Sequence, residues 1–143
     1  MPLDPADPAQ WPVWCCAILR DSRGRFVFER RPVDEPDAPG MLTCFGGTRE
    51  PGEDPEACLR RELLEELGFI AGEIELCVEL TTPKGIAWFY RAHGPDEGMA
   101  TALEPGFGIE WIAAETIGHA GIGAWNLAAI RAELRGERQA RSD

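Results

Sequence analysis

Apolar residues recur along this chain with two different periods, and the switches between them mark out the elements. Trp14 to Arg20 is a mostly apolar run, Asp21-Ser22-Arg23-Gly24 is a turn, and Phe26-Val27-Phe28 returns as the second arm of a hairpin. Pro32 to Gly40 sets Pro32, Pro36 and Pro39 among Asp34, Glu35 and Asp37; it has no periodic face and reads as a loop. Met41 to Phe45 is a short strand leading into Gly46-Gly47. The period then changes to 3.6. Asp54-Pro55-Glu56 supplies a side-chain acceptor, a first-turn proline and an acid, the marks of a helix start, and Gly68 is the natural stop. Between them Leu59, Leu63, Leu64 and Leu67 fall on one flank.

The strand period resumes beyond that helix. Ile74 to Leu80 and Ile86 to Tyr90 read as strands joined by a turn around Pro83-Lys84-Gly85. Gly94 to Gly106 is a loop, and Gly108 to Ile112 a last strand. Asn126 to Leu134 repeats Leu127, Ile130 and Leu134 at helical spacing. Residues 1–10 read as an irregular tail and 136–143 as a frayed, charged end. Strands on both sides of one helix, followed by a second helix, predict an α/β fold with a mixed sheet between helices. A chain of 143 residues has room for one core, so the expectation is a single domain over 1–143.

Charge narrows the partners. Lys plus Arg is 14 against 25 for Asp plus Glu, a net of -11, which argues against nucleic-acid polymers, because phosphate backbones need a basic surface. A single nucleotide is not excluded, since a bound cation neutralises its charge. No apolar run is long enough to span a bilayer and no basic-then-apolar leader is present, so the expectation is a cytoplasmic protein without a membrane partner. Cys15, Cys16, Cys44, Cys58 and Cys77 are odd in number, form no C-x-x-C pair and sit in apolar stretches, as free thiols of a reducing compartment do. His93 and His119 lack a partner motif and read as surface residues.

The polar flank of the first helix carries the chemistry. Glu62, Glu65 and Glu66 lie together at i, i+3 and i+4, where like charges repel by a few tenths of a kcal/mol per pair. Arg61, four residues before Glu65, relieves part of that. A solvated acidic face is the bland reading. Against it, the glutamates are clustered rather than alternated with lysine, and a Gly-Gly loop precedes the helix. Oxygens gathered in this way suit Mg²⁺ or Mn²⁺.

From Gly47 to Phe69 the chain follows the spacing G-x(5)-E-x(7)-R-E-U-x-E-E-x-G-U, where U is a bulky aliphatic residue, except at its last position. This resembles the signature box of the Nudix hydrolases, matched at Gly47, Glu53, Arg61, Glu62, Glu65, Glu66 and Gly68. Phe69 replaces the usual aliphatic residue, and Phe45 precedes Gly46-Gly47 where many members carry proline. The resemblance implies an α/β/α sandwich, Mg²⁺ or Mn²⁺ as cofactor, and cleavage of a diphosphate joined to another moiety. The partner is then a small nucleotide or nucleotide derivative, and the protein a monomer or homodimer. Carried over residue by residue, Glu65 and Glu66 are the principal metal ligands, and Glu62 is a further ligand or the general base. The Gly47 carbonyl completes the set, Arg61 orients the glutamates, and Glu53 ligates metal or holds Arg61. Which glutamate deprotonates the attacking water stays open.

Outside the box the family draws a last ligand or base from a loop ahead of a tryptophan, here Trp111. Glu104 is favoured over Glu110 for that place. Asn126 stands 15 residues after Trp111, where MutT-like members put a purine-reading asparagine; capping the last helix is its other reading. Trp14, Trp88 and Trp125 are candidates to stack a base, with Trp88 in the site set beside Asn126 and core packing the alternative for each. Two other functions share the fold: a catalytically silent ligand-sensing or interaction module, and a prenyl diphosphate isomerase. The first usually lacks box glutamates, none of which is missing here. The second needs a catalytic cysteine in its own setting, which Cys44 and Cys58 do not supply.

Overall fold

The computed structural model describes residues 3–99 and 101–143. Among the described residues eight strands form one mixed sheet: β1 (Trp14–Arg20), β2 (Phe26–Arg30), β3 (Leu42–Thr43), β4 (Phe45–Thr48), β5 (Ile74–Thr82), β6 (Gly85–His93), β7 (Gly108–Ile112) and β8 (Gln139–Arg141). The path runs β3-β2-β1-β6-β5-β8, with β4 paired to β1 and β7 to β2. Strand β1 is the hub. It runs parallel to β6 along its whole length, while its first half pairs antiparallel with β4 and its last two residues with β2.

Helix α1 (Pro55–Leu67) covers one face and α2 (Ala124–Leu134) the other. The two-residue alternation of the strands sorts their side chains between these layers. Cys15, Ala17 and Leu19 of β1 join Leu59, Leu63 and Leu67 of α1, with Phe45, Trp88 and Tyr90. Ile18 packs with Phe26, Phe28, Leu80 and Phe89 against Ala129, Ile130 and Ala132 of α2. The fold is the mixed sheet between helices that the sequence predicts. Among the described residues no helix is long and apolar enough to cross a membrane. All five cysteines are free, and both histidines are exposed.

Four expectations need correcting. The 41–45 strand is two short ones broken at Cys44, because β3 follows β2 while β4 crosses to β1. Leu64 is 54% exposed and Leu134 46% exposed: each sits at the margin of its helix's apolar stripe, and α2 is buried chiefly through Ala129, Ile130 and Ala132. Residues 136–143 are not frayed throughout. Strand β8 adds in parallel to the edge of β5, with Glu79 N–H donating to the Arg138 carbonyl at 2.8 Å and Ser142 N–H to the Thr81 carbonyl at 2.9 Å. Only Ala140 of β8 turns toward the core, so three residues with one inward position leave no hydrophobic pattern to read. Finally, the N-terminal tail contains a 3₁₀ turn at Pro8–Gln10 capped by Asp7, and the Trp11 indole donates to the Pro5 carbonyl at 2.9 Å. Met1 and Pro2 of that tail lie outside the described residues, as does Ala100 of the loop before β7.

Candidate active site

Helix α1 is cut at both ends by its own sequence. The Asp54 carboxylate accepts the Ala57 N–H at 3.2 Å, Pro55 occupies the first turn, and Gly68 adopts φ 63°. Gly68 N–H returns to the Leu64 carbonyl and Phe69 N–H to that of Leu63, closing the last turn. Phe69 is half-buried against the same core. With Cys58, Leu59, Leu63 and Leu67 pressed on the sheet, the polar flank meets the start of β4.

Gly46 and Gly47 make that meeting possible. Gly46 has φ 147°, and a Cβ there would stand 2.2 Å from the Cys15 carbonyl oxygen. A Cβ on Gly47 would stand 2.5 Å from the Glu62 carboxyl carbon. Gly46 admits no side chain, and one on Gly47 would push the Glu62 carboxylate aside. The bare backbone lets Gly46 N–H donate to Glu66 Oε1 at 2.9 Å.

Arg61 organises the remaining acids. Its Nε and Nη2 hold both oxygens of Glu53 at 2.8 and 2.9 Å, while Nη1 reaches Glu62 Oε1 at 2.9 Å and Glu65 Oε2 at 3.2 Å. The Arg61 contact, with the Glu50 N–H, drops the Glu53 carboxyl to about 2. In this structure Glu53 is paired with Arg61. Glu66 goes the other way: burial first, then the charge of Glu29, raise it to about 9.

Glu29 was not among the residues singled out in the sequence. It lies on β2, only 5% exposed, and contacts Glu66 and Arg31, the latter at 3.3 Å. Burial raises its carboxyl too. The available signal was its place two residues after inward-facing Val27, which requires β2 to run past Phe28. Glu104 is exposed but near enough for its charge to raise Glu29, whereas Glu110 pairs with Arg30 on the opposite face of β7 from Ile109 and Trp111.

Trp88 is a correction. It is 0% exposed, enclosed on the α1 side, and its indole donates to Glu79 Oε2 at 2.9 Å, so no base can reach it. The cavity beside the glycines, about 520 Å³, is lined instead by Trp14 and Trp125, whose rings lie 5.6 Å apart, with Asn126, Asp37 and Lys84. Asn126 is inside the first turn of α2 rather than at its cap, which is Gly123. Its Oδ1 accepts the Cys44 N–H at 3.0 Å, fastening α2 to the β3–β4 break. Cys16 also lines this cavity; burial, then Glu66, push its thiol to about 12, and burial likewise raises Cys44. These thiols are poor nucleophiles.

The donor set suits a hard divalent cation: the carboxylates of Glu62, Glu65 and Glu66, with the Gly47 carbonyl, which the Cys58 thiol approaches at 3.9 Å. Among the described residues no three metal-ligating side chains converge as they stand. Arg61 holds Glu62 and Glu65, and Gly46 holds Glu66.

The NUDIX domain profile matches residues 10–129. The chain belongs to the Nudix family. Its members are generally hydrolases of nucleoside diphosphates linked to another moiety, and they typically use divalent metal ions. The fold is that of solved structures from the family. The MutT protein of Methanosarcina mazei Go1 is 20% identical with a TM-score of 0.67, over 87% of this chain and 93% of that one. A MutT structure from work on Aliivibrio salmonicida and Vibrio cholerae is 18% identical, TM-score 0.71, over 87% and 98%. The MutT Nudix hydrolase of Burkholderia pseudomallei is 22% identical, TM-score 0.71, over 84% and 95%. No curated protein sequence matches the chain.

Proposed function

We propose that this Nudix protein is a Mg²⁺- or Mn²⁺-dependent hydrolase that cleaves the diphosphate linkage of a nucleoside diphosphate joined to another moiety. One juxtaposition carries the reading: the box carboxylates and an aromatic-walled cavity meet at the same two glycines, Gly46 and Gly47. A nucleotide seated against the Trp14–Trp125 pair presents its phosphates toward the glutamates. Divalent cations held by Glu62, Glu65, Glu66 and the Gly47 carbonyl would supply positive charge to the phosphates and acidify the attacking water.

The chain's own residues do the rest. Glu65 and Glu66 are the principal ligands, with the Gly47 carbonyl, and Glu62 is a further ligand or the base that takes the proton from water. Glu53 anchors Arg61, which keeps the glutamates turned toward one another. Glu104 completes the acidic rim from its loop. Asn126 offers its amide nitrogen to the base, since its oxygen is already taken by Cys44.

The test is a panel of nucleoside triphosphates and diphosphate conjugates with Mg²⁺ or Mn²⁺, read as phosphate released before and after added phosphatase. Release that needs both the cation and phosphatase supports the reading. Tight binding with no turnover across the panel makes the protein a ligand-sensing module instead.

A further inference from the structure

Arg31 stands at the junction of two parts of the site that share no element. It lies one residue past β2, on the same side as Glu29 by strand alternation. Three acceptors hold its guanidinium: Glu29 Oε1 at 3.3 Å from Nη1, Glu35 Oε1 at 2.9 Å from Nη2, and the Asp37 carbonyl at 2.7 Å from Nε. The Phe107 ring lies against it, 5.7 Å from centroid to guanidinium carbon. At one end of this span is Glu29, close enough to Glu66 for each carboxyl to act on the other's charge. At the other are Asp37 and Ala38, part of the cavity wall. One side chain thus reaches from the carboxylate cluster to the rim of the cavity.

The loop over 32–40 needs such a holder. Three prolines leave it few backbone donors, and Val33 is 87% exposed, so little apolar packing fixes it. Its backbone bonds run from Glu35 N–H and Gly40 N–H to the Pro32 carbonyl, which closes the loop's base, and from Met41 N–H to the Ala38 carbonyl at 3.1 Å, a turn at its exit; none of them reaches Asp37. Ala38 is held at φ 46°, a conformation side-chain-bearing residues seldom adopt. The neighbouring constraint at Asp37 is the Arg31 bond. An arginine suits this place because its planar fork meets several acceptors in fixed directions, which a lysine point charge does not.

We propose that Arg31 is a positioning residue: through Glu29 it holds the Asp37–Ala38 wall of the cavity against the carboxylate cluster, so that the seat for the nucleotide and the cluster facing its phosphates are set as one unit. The nucleotide part rests on the hydrolase reading; the link between loop and cluster does not. A cation that drew Glu66 toward it would leave Glu29 with Arg31 as its partner, and the loop would thereby register that the cluster is occupied.

The experiment compares the full-length wild type with Arg31→Ala, Arg31→Lys and Glu35→Gln by two readouts that need no turnover. These are amide hydrogen exchange over 35–41, and the Mn²⁺ concentration giving half of the cation-induced rise in Tm. In the wild type, Mn²⁺ slows exchange over 35–41. Arg31→Ala abolishes that response and shifts the Mn²⁺ midpoint by at least about fivefold, the lower end of usual site-to-site couplings. Arg31→Lys does not restore it. Glu35→Gln cuts only the loop side and weakens the response as well; it carries the test if Arg31→Ala does not fold. With a nucleotide substrate, Arg31→Ala raises KM by a larger factor than it lowers kcat. Loop exchange indifferent to Mn²⁺ in the wild type, or a wild-type response in Arg31→Ala and Glu35→Gln, overturns the proposal. A wild type that hydrolyses no nucleotide but whose loop answers Mn²⁺ through Arg31 loses the hydrolase reading and keeps this coupling. A wild type that hydrolyses nucleotides while Arg31→Ala leaves both midpoint and KM unchanged does the reverse.

Discussion

Arg61 grips both carboxylate oxygens of Glu53, at 2.8 and 2.9 Å, and spends a third nitrogen on Glu62 and Glu65. The loop glutamate fixes the arginine, and the arginine in turn sets two of the three helix glutamates. Glu53→Gln keeps the shape but removes the charge that anchors this fork, so Arg61 should swing and the helix acids lose their alignment. Activity should fall by about tenfold or more with the cation-free Tm little changed, as expected for an orienting partner outside the ligand set. Steady-state kinetics beside a melting curve reads both. Undiminished activity in Glu53→Gln removes the orienting role.

The paired burial of Glu66 and Glu29 has a consequence for pH. A carboxyl bound more tightly to its proton when folded contributes stability that is complete below its unfolded pKa, 4.5 for Glu66, and is lost as the pH rises toward its folded value of about 9. In the presence of EDTA, the Tm should therefore fall between about pH 5 and 9. Millimolar Mg²⁺ or Mn²⁺ should raise Tm, and raise it most at the alkaline end, where the cation no longer displaces a proton. Glu66→Gln should flatten the decline and diminish the cation effect. A cation response equal at pH 5 and pH 9 contradicts the account.

Much of the site was legible because its signals are local. The box lies on one helix whose start, stop and spacing are written in consecutive residues; Glu62 and Glu66 come to Gly46-Gly47, and Arg61 ties Glu53 and Glu65 to Glu62. What was missed depends on strand register. Glu29 comes to Glu66 only because β2 continues past Phe28, and Trp88 is sealed inside because alternation along β6 turns it toward α1. Three-residue β8 carries no pattern at all; its place is decided by the open edge of β5.

That edge makes a prediction of its own. Deleting residues 138–143 removes the Glu79 and Ser142 backbone bonds and bares the β5 edge. The Tm should fall by several °C, as a loss of about 1 kcal/mol does in a domain of this size, and the truncated chain should associate more readily because an open edge invites pairing. Scanning calorimetry with light scattering tests this. An unchanged Tm restores the picture of a loose end.

Asn126 has two duties that can be separated. Asn126→Ala strands the Cys44 N–H, at a cost of about 1–3 kcal/mol for an unpaired buried donor. Because its amide nitrogen also faces the base in the proposed complex, KM should rise and discrimination between bases should weaken. Asn126→Asp keeps an acceptor for Cys44 but loses the donor, so it should retain more stability while still losing discrimination. Unaltered base preference in both variants makes Asn126 a structural tie only.

The most direct measurement is nucleotide hydrolysis at saturating Mg²⁺ or Mn²⁺ by the wild type, Glu65→Gln and Glu66→Gln, each first shown to melt cooperatively. The account predicts cation-dependent, phosphatase-revealed phosphate release by the wild type and a loss of at least about a hundredfold in kcat for each variant, because each removes a charged metal ligand. Near wild-type turnover in either variant contradicts it.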